Sequence, residues 1–237
     1  FISSLIYRDM LETRYNFNHD DQVSIKLAQC FTQFQLDEVF LSFNGGKDCT
    51  VLLDLTINIL KDLYKRDDIG KDLKIVYIRT IGPFKEIENF VKEIEKHYGV
   101  KIIVTEGEIK TTLQRTMEQD SKLKACLLGT RRTDPYNINW PQIVRVSPLL
   151  NWSYHQIWSY ILQKQVPYCS LYDKGYTSIG SIHNTWPNPS LAYKDSFGRV
   201  THRPAWMLAD PTLERAGRGT NNITVTEHAV AGFEQTN

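Results

Sequence analysis

The sequence predicts an α/β protein: an open, mostly parallel twisted sheet with helices on both faces, followed by a loop-rich C-terminal cap. Three observations carry this expectation. Short apolar runs alternate with stretches of helical periodicity from about residue 39 to about residue 165. The first apolar run passes through a glycine pair directly into a helical pattern. Beyond Val166 the periodicity gives way to turns rich in Pro, Gly and Asn. Apolar strands joined by helices imply a parallel sheet covered on both sides.

Taken in order, Val23, Leu27, Phe31 and Phe34 fall at helical spacing, so a helical segment leads into the first strand, Val39-Phe40-Leu41. After the loop Ser42–Asp48, the apolar residues Val51, Leu52, Leu53, Leu55, Ile57, Ile59, Leu60 and Leu63 predict a largely buried helix. Leu73–Thr80 reads as the second strand and Pro83–Tyr98 as an amphipathic helix. Its stripe is Phe84, Ile87, Val91, Ile94 and Tyr98, with Pro83 in the first turn and Gly99 at the C-cap. Val100–Thr105 is a third strand, Thr111–Lys122 a helix, Ala125–Gly129 a fourth strand and Ile143–Val146 a short fifth. Tyr154, Ile157, Trp158, Ile161 and Leu162 then form another amphipathic helix. One domain is expected, with a helical segment (1–36), a nucleotide-binding core (37–165) and a cap with tail (166–237).

Composition narrows the function classes. A chain of 237 residues with 41% hydrophobic content can bury one good-sized core. A net charge of +1 gives no support for a general nucleic-acid or membrane surface. Cys30, Cys49, Cys126 and Cys169 show neither metal-ligand nor redox-pair spacing, which points to a reduced, cytoplasmic protein. No apolar run is long enough to span a bilayer, and no signal peptide is visible. The sequons at Asn151 and Asn222 are read as chance matches.

Three clusters carry chemistry. In Ser42-Phe43-Asn44-Gly45-Gly46-Lys47-Asp48, the glycines let the backbone turn tightly between strand and helix, where N–H groups and the helix dipole favour phosphate. It is not the familiar P-loop, because Leu41 replaces the early glycine and Asp48 follows Lys47. What remains looks like the loop of enzymes that cleave ATP between its α and β phosphates. The plain alternative is a helix start with Asp48 as N-cap. The second cluster, Gly129-Thr130-Arg131-Arg132-Thr133-Asp134-Pro135-Tyr136, offers two arginines and an aspartate, able to clamp phosphates and hold magnesium. Its plain alternative is a surface ion pair with an Asp-Pro turn. In the third, Glu214-Arg215-Ala216-Gly217-Arg218, the two arginines share a face of a helical turn and can reach one phosphate chain, or they belong to a solvated face.

These clusters lie in order with Asn151-Trp152, Tyr172–Gly180, Asn184-Thr185, Asn188-Pro189 and Arg203-Pro204-Ala205. From about Val39 to Arg218 the chain resembles the eukaryotic FAD synthetases, the FMN adenylyltransferase domain related in fold to the PAPS reductases and adenine nucleotide alpha hydrolases. The resemblance implies transfer of AMP from MgATP to the phosphate of FMN, giving FAD and pyrophosphate. It implies that Ser42, Phe43, Gly45, Gly46 and Lys47 cradle ATP phosphates, and that Asn44 and Asp48 organise the loop and the metal. Asp134 would join Asn44 as a magnesium ligand, and Ile78 and Gly129 would contact the adenosine. Arg131 and Arg132 belong to the same nucleotide-binding set, and Arg215 and Arg218 form a catalytic clamp. Asn139, Trp140 and Arg145 belong to the flavin pocket, whereas Trp152 and Trp158 read as packing. Partners on this reading are ATP and FMN, with client apo-flavoproteins a further class, and neither nucleic acid nor membrane.

The chain departs from the family in one place: only Asn137-Ile138-Asn139 separates Tyr136 from Trp140, where a longer loop is usual. The rivals are a sulfonucleotide reductase, a tRNA-modifying relative and a non-catalytic flavin-nucleotide binder. The first needs a reactive cysteine in a C-terminal segment, and none follows Cys169. The second calls for a basic surface or a metal-binding cysteine set, which the sequence lacks.

Overall fold

The computed structural model describes residues 22–79, 81–107, 109–134 and 143–219. Its centre is a five-stranded sheet in the order β3-β2-β1-β4-β5, parallel at every pairing. The strands are β1 (Val39–Phe43), β2 (Lys74–Arg79), β3 (Ile102–Glu106), β4 (Ala125–Leu127) and β5 (Val144–Val146). The helices are α1 (Gln22–Gln33), α2 (Lys47–Tyr64), α3 (Lys85–Tyr98), α4 (Ile109–Gln119) and α5 (Tyr154–Lys164). The expected parallel sheet with helices on both faces is what the chain forms. No described helix is long and apolar enough to cross a membrane.

The pleat explains the two cores. In β1, Val39, Leu41 and Phe43 point to one face and join the large cluster under α1, α2, α3 and α5. Phe40 points to the other, where Val76, Ile78, Leu113, Leu123, Cys126 and Leu128 form a smaller cluster. Because β1 is central and buried on both faces, its side chains are almost continuously apolar.

Element ends differ from the expectation where tertiary contacts intervene. α3 starts at Lys85, with Phe84 as an extended N-cap and Pro83 one residue earlier, outside the first turn. The extended Phe84 carries its ring edge-on against Tyr176, with centroids 5.5 Å apart. Gly99 ends this helix with φ +63°, as expected of a C-cap glycine. α4 begins two residues before Thr111 and ends at Gln119 rather than Lys122, where Asp120 accepts the Lys122 N–H in a turn. β3 runs from Ile102, not Val100, and β4 stops at Leu127 rather than Gly129. Leu162 is 47% exposed, because it stands one residue round from the buried stripe Tyr154, Ile157, Trp158 and Ile161. Trp158 is core, Trp152 packs against the core cluster, and the Trp206 ring lies tilted against Trp158 with centroids 5.7 Å apart.

After α5 the chain forms short 3-10 turns and one antiparallel pair, β6 (Ala192–Lys194) with β7 (Val200–His202). With so little repetitive backbone hydrogen bonding, side chains hold the region together. Asn188, fully buried, donates to Thr177 Oγ1 (2.8 Å) and the Leu213 carbonyl (2.7 Å) and accepts from Ser190 N–H (2.9 Å). The Tyr154 hydroxyl donates to the Ala205 carbonyl (2.7 Å), tying the cap to α5.

Candidate active site

The sheet order places a switch between β1 and β4: β2 and β3 add on one side of β1, β4 and β5 on the other. A crevice opens at the carboxyl ends of strands at such a point. A cavity of about 410 Å³ lies there, bordered by the β1–α2 loop, the ends of β2 and β4, the start of α3, and the cap segments 178–180 and 214–218.

The loop is organised from within. Gly45 takes φ +71°, and Gly46 is the N-cap of α2. Asn44 Oδ1 accepts from the Gly46 N–H (2.9 Å) and from the Cys49 thiol (2.8 Å). The Lys47 N–H donates to the Tyr172 hydroxyl (2.8 Å), so two of the N–H groups expected to face phosphate are engaged by the protein itself. Gly129 lets the end of β4 press against this helix start, since a Cβ there would stand 2.9 Å from Cys49 N and 3.1 Å from the Asp48 carbonyl carbon.

Against the cavity lies a cluster of four charges, Lys47, Asp48, Arg131 and Glu214, buried except for the half-buried Asp48. Lys47 Nζ reaches Asp48 Oδ2 (3.0 Å), Glu214 Oε1 (2.5 Å) and the Thr177 carbonyl (3.4 Å). Arg131 Nη2 donates to both Glu214 oxygens at 2.7 Å. Its Nε stands 2.6 Å from Asp48 Oδ1, an ion pair whose angle does not make a hydrogen bond. Burial disfavours the Lys47 charge, but Asp48 and Glu214 outweigh that cost and raise its pKa above the ordinary value.

On the cavity wall the charges are less balanced. Arg215 and Arg218 have no carboxylate partner among the described residues, and their Nη1 atoms both approach Ser178 Oγ, at 3.5 and 3.4 Å. Arg218 Nε is buried without an acceptor, and its pKa is lowered by burial and by the Arg215 charge. Asp134, also on the cavity wall, accepts the Arg131 backbone N–H through Oδ2 (2.8 Å). Burial raises its pKa, and nearby Asp48 adds to the effect against that hydrogen bond. A cation is the missing complement to Asp134, and an anion to the two arginines.

The predicted residues Ser42, Phe43, Asn44, Gly46, Lys47, Asp48, Ile78, Gly129, Asp134, Arg215 and Arg218 all border this cavity. Gly45 lies within the loop but not on the wall, where a Cβ would meet Ile87. Arg131 lies in the charge cluster, and Arg132 is exposed with its Nε on Asn151 Oδ1 (2.8 Å). Arg145, on β5, is exposed and away from the cavity wall. Asn139 and Trp140 lie outside the described residues. Sequence reasoning gave no role to Tyr172, Ser178 or Glu214. Their only signal in the sequence is membership of the motifs Tyr172–Gly180 and Glu214–Arg218, since no periodicity places them. Among the described residues no three His, Cys, Asp or Glu side chains gather into a metal cluster.

Comparison with known proteins agrees with this geometry. The phosphoadenosine phosphosulfate reductase domain matches residues 38–135 and 110–187. The chain is 38% identical over 209 residues to a probable FAD synthase of Schizosaccharomyces pombe, covering 83% of this chain and 77% of the relative. It is 30% identical over 250 residues to the flavin adenine dinucleotide synthase of Saccharomyces cerevisiae, covering 76% and 81%. The crystal structure of Candida glabrata FMN adenylyltransferase with FMN and an ATP analogue superposes with a TM-score of 0.74 at 28% identity, over 85% of this chain and 86% of that one. The same enzyme has also been solved with FAD and inorganic pyrophosphate. With a fold that superposes on FMN adenylyltransferase and such identity over most of its length, the chain belongs to the FAD synthase family, built on the phosphoadenosine phosphosulfate reductase domain.

Proposed function

We propose that the protein is an FMN adenylyltransferase, transferring AMP from MgATP to FMN to give FAD and pyrophosphate. An oxygen of the FMN phosphate attacks the α-phosphorus of ATP, the bond from that phosphorus to the bridging oxygen of the β-phosphate breaks, and pyrophosphate leaves. The nucleophile is already an anion, so the step needs no general base. Its difficulty is electrostatic: two phosphate groups must be brought together and their charge neutralised. The observation that carries this reading is the pair Arg215 and Arg218, facing the cavity without a carboxylate partner among the described residues.

Roles follow from placement. Ser42, Phe43, Asn44 and Gly46, the loop residues on the cavity wall, would border the phosphates, and Ile78 and Gly129 the adenosine. Arg215 and Arg218 cover the transferring phosphate. Asp134 fits magnesium, as a half-buried carboxylate on the cavity wall with no cationic side chain bonded to it among the described residues and its ionised form disfavoured by burial. Asn44 fits less well, because its oxygen already accepts two hydrogen bonds. Magnesium commonly takes one or two carboxylates and completes its shell with phosphate and water, so Asp134 with ATP suffices. Held there by Asp134, a magnesium ion would supply Lewis-acid stabilisation of phosphate charge.

A sulfonucleotide reductase is disfavoured on the thiols present. All four cysteines are buried, and burial pushes Cys30 and Cys169 up to about 11 and Cys49 to about 12. We further assign the protein to the cytoplasm, apo-flavoproteins as recipients of its product, and a single domain with core 37–165 and cap 166–237. Chromatography of the protein with FMN, ATP and magnesium is the test. FAD and pyrophosphate in equal amounts, lost with EDTA, are expected. Tight FAD binding without turnover would establish a binder instead.

A further inference from the structure

We propose that Glu214 is the positioning residue of the arginine turn, holding Arg215 and Arg218 over the cavity through Lys47 and Arg131, and that Lys47 serves this contact rather than substrate phosphate. The proposal rests on the adenylyl-transfer reading above.

Lys47 is 2% exposed, Arg131 1% and Glu214 8%. An ammonium has three protons to donate, and Lys47 Nζ has three acceptors in Asp48, Glu214 and the Thr177 carbonyl. No donor is left for a phosphate. Glu214 is gripped at both ends: its carboxylate takes Lys47 and Arg131, and its carbonyl accepts from Thr177 Oγ1 at 2.6 Å. Thr177 Oγ1 in turn accepts from Asn188. Arg215 follows by one peptide bond, and the Arg218 N–H donates to the Arg215 carbonyl (2.9 Å), closing the turn. The turn has no helix or sheet of its own beyond an isolated bridge from Arg218 to Thr185. The Glu214 carboxylate is therefore its anchor to the glycine loop and to the end of β4. Lys47 and Arg131 balance Asp48 and Glu214 in sign, so removing one carboxylate leaves buried positive charge uncompensated.

The test is a double-mutant cycle between Glu214→Gln and Arg215→Ala, with FAD formation as readout. If Glu214 acts through the arginines, E214Q lowers kcat by about 10²-fold, the cost of misplacing a group by about 1 Å, with the KM values for ATP and FMN little changed. Losses from the two substitutions then fail to multiply, and E214Q/R215A is no slower than the slower single variant. Multiplying losses, or an E214Q enzyme with lowered Tm and unchanged kcat, would overturn the positioning role. Should E214Q fail to fold, Lys47→Met with Glu214→Gln removes one charge of each sign and takes its place in the cycle. A wild-type enzyme that forms no FAD would instead refute the adenylyl-transfer reading itself.

Discussion

The glycine loop and the arginine turn border one cavity, joined where Lys47 meets Glu214, yet they are built by opposite means. The loop follows from local rules: an apolar strand, a glycine at φ +71°, an N-cap and a helix of eighteen residues. The turn 214–218 contains no helix or strand, and its neighbour at Lys47 is 167 residues away in sequence. The loop is a feature of the chain that a site uses. The turn is held in its place by contacts distant in sequence: the ion pairs of Glu214, the bonds of Asn188 and Thr177, and backbone bonds from segment 184–186. The two arginines without a carboxylate partner among the described residues thus stand on the element with the least regular structure, mounted on the element with the most.

This contrast can be broken by experiment. The largest effect is expected between the two regions, at Asp134: Asp134→Ala should abolish turnover while circular dichroism shows an intact fold, and wild-type rates would remove Asp134 from the site. A second readout separates charge from packing. Burial raises the folded-state pKa of Asp134, so its ionised form costs stability above that pKa, and the cost fades as pH falls below it. Asp134→Asn should therefore raise the metal-free Tm at neutral pH, with the gain shrinking on acidification.

Next in size is the turn. Arg215→Ala should lower kcat by about 10²–10³-fold, the effect of one lost transition-state charge contact. An unchanged rate would return both arginines to a solvated face. On the loop side the expected damage is to stability: Gly129→Ala forces a Cβ onto the backbone of Cys49 and Asp48, costing about 1–3 kcal/mol as overpacking. Chemical denaturation would register it, and a wild-type midpoint would mean the helix start yields freely. The smallest effect belongs to Arg132, exposed and bonded to Asn151: Arg132→Ala should leave kcat and KM near wild type and stability within about 0.5 kcal/mol. A large loss of kcat there would restore its role as a phosphate ligand.

Much of the fold was legible because buried parallel strands and amphipathic helices write their burial into side-chain type. Val39–Leu41, the stripe of α3 and the C-cap Gly99 needed only local rules. Ends were less legible. Phe84 leaves its helix to meet Tyr176, and β4 stops where Gly129 meets α2. Arg131 and Arg132 show the limit most clearly. Adjacent in sequence and identical in chemistry, one is 1% exposed between two carboxylates while the other is exposed on the surface.

By itself, then, the sequence determined the alternation of strands and helices, the phosphate-type loop at the head of α2 and the motif order that marks the family. Those depend on neighbours a few residues apart, where spacing and residue type are sufficient. Tertiary structure alone decided which charges of the cavity neutralise one another and which lack an opposite partner among the described residues. A charged side chain has the same chemistry in either place. Its role is set by what lies within about 4 Å of it, where Coulomb energy is steep and burial removes the screening of water.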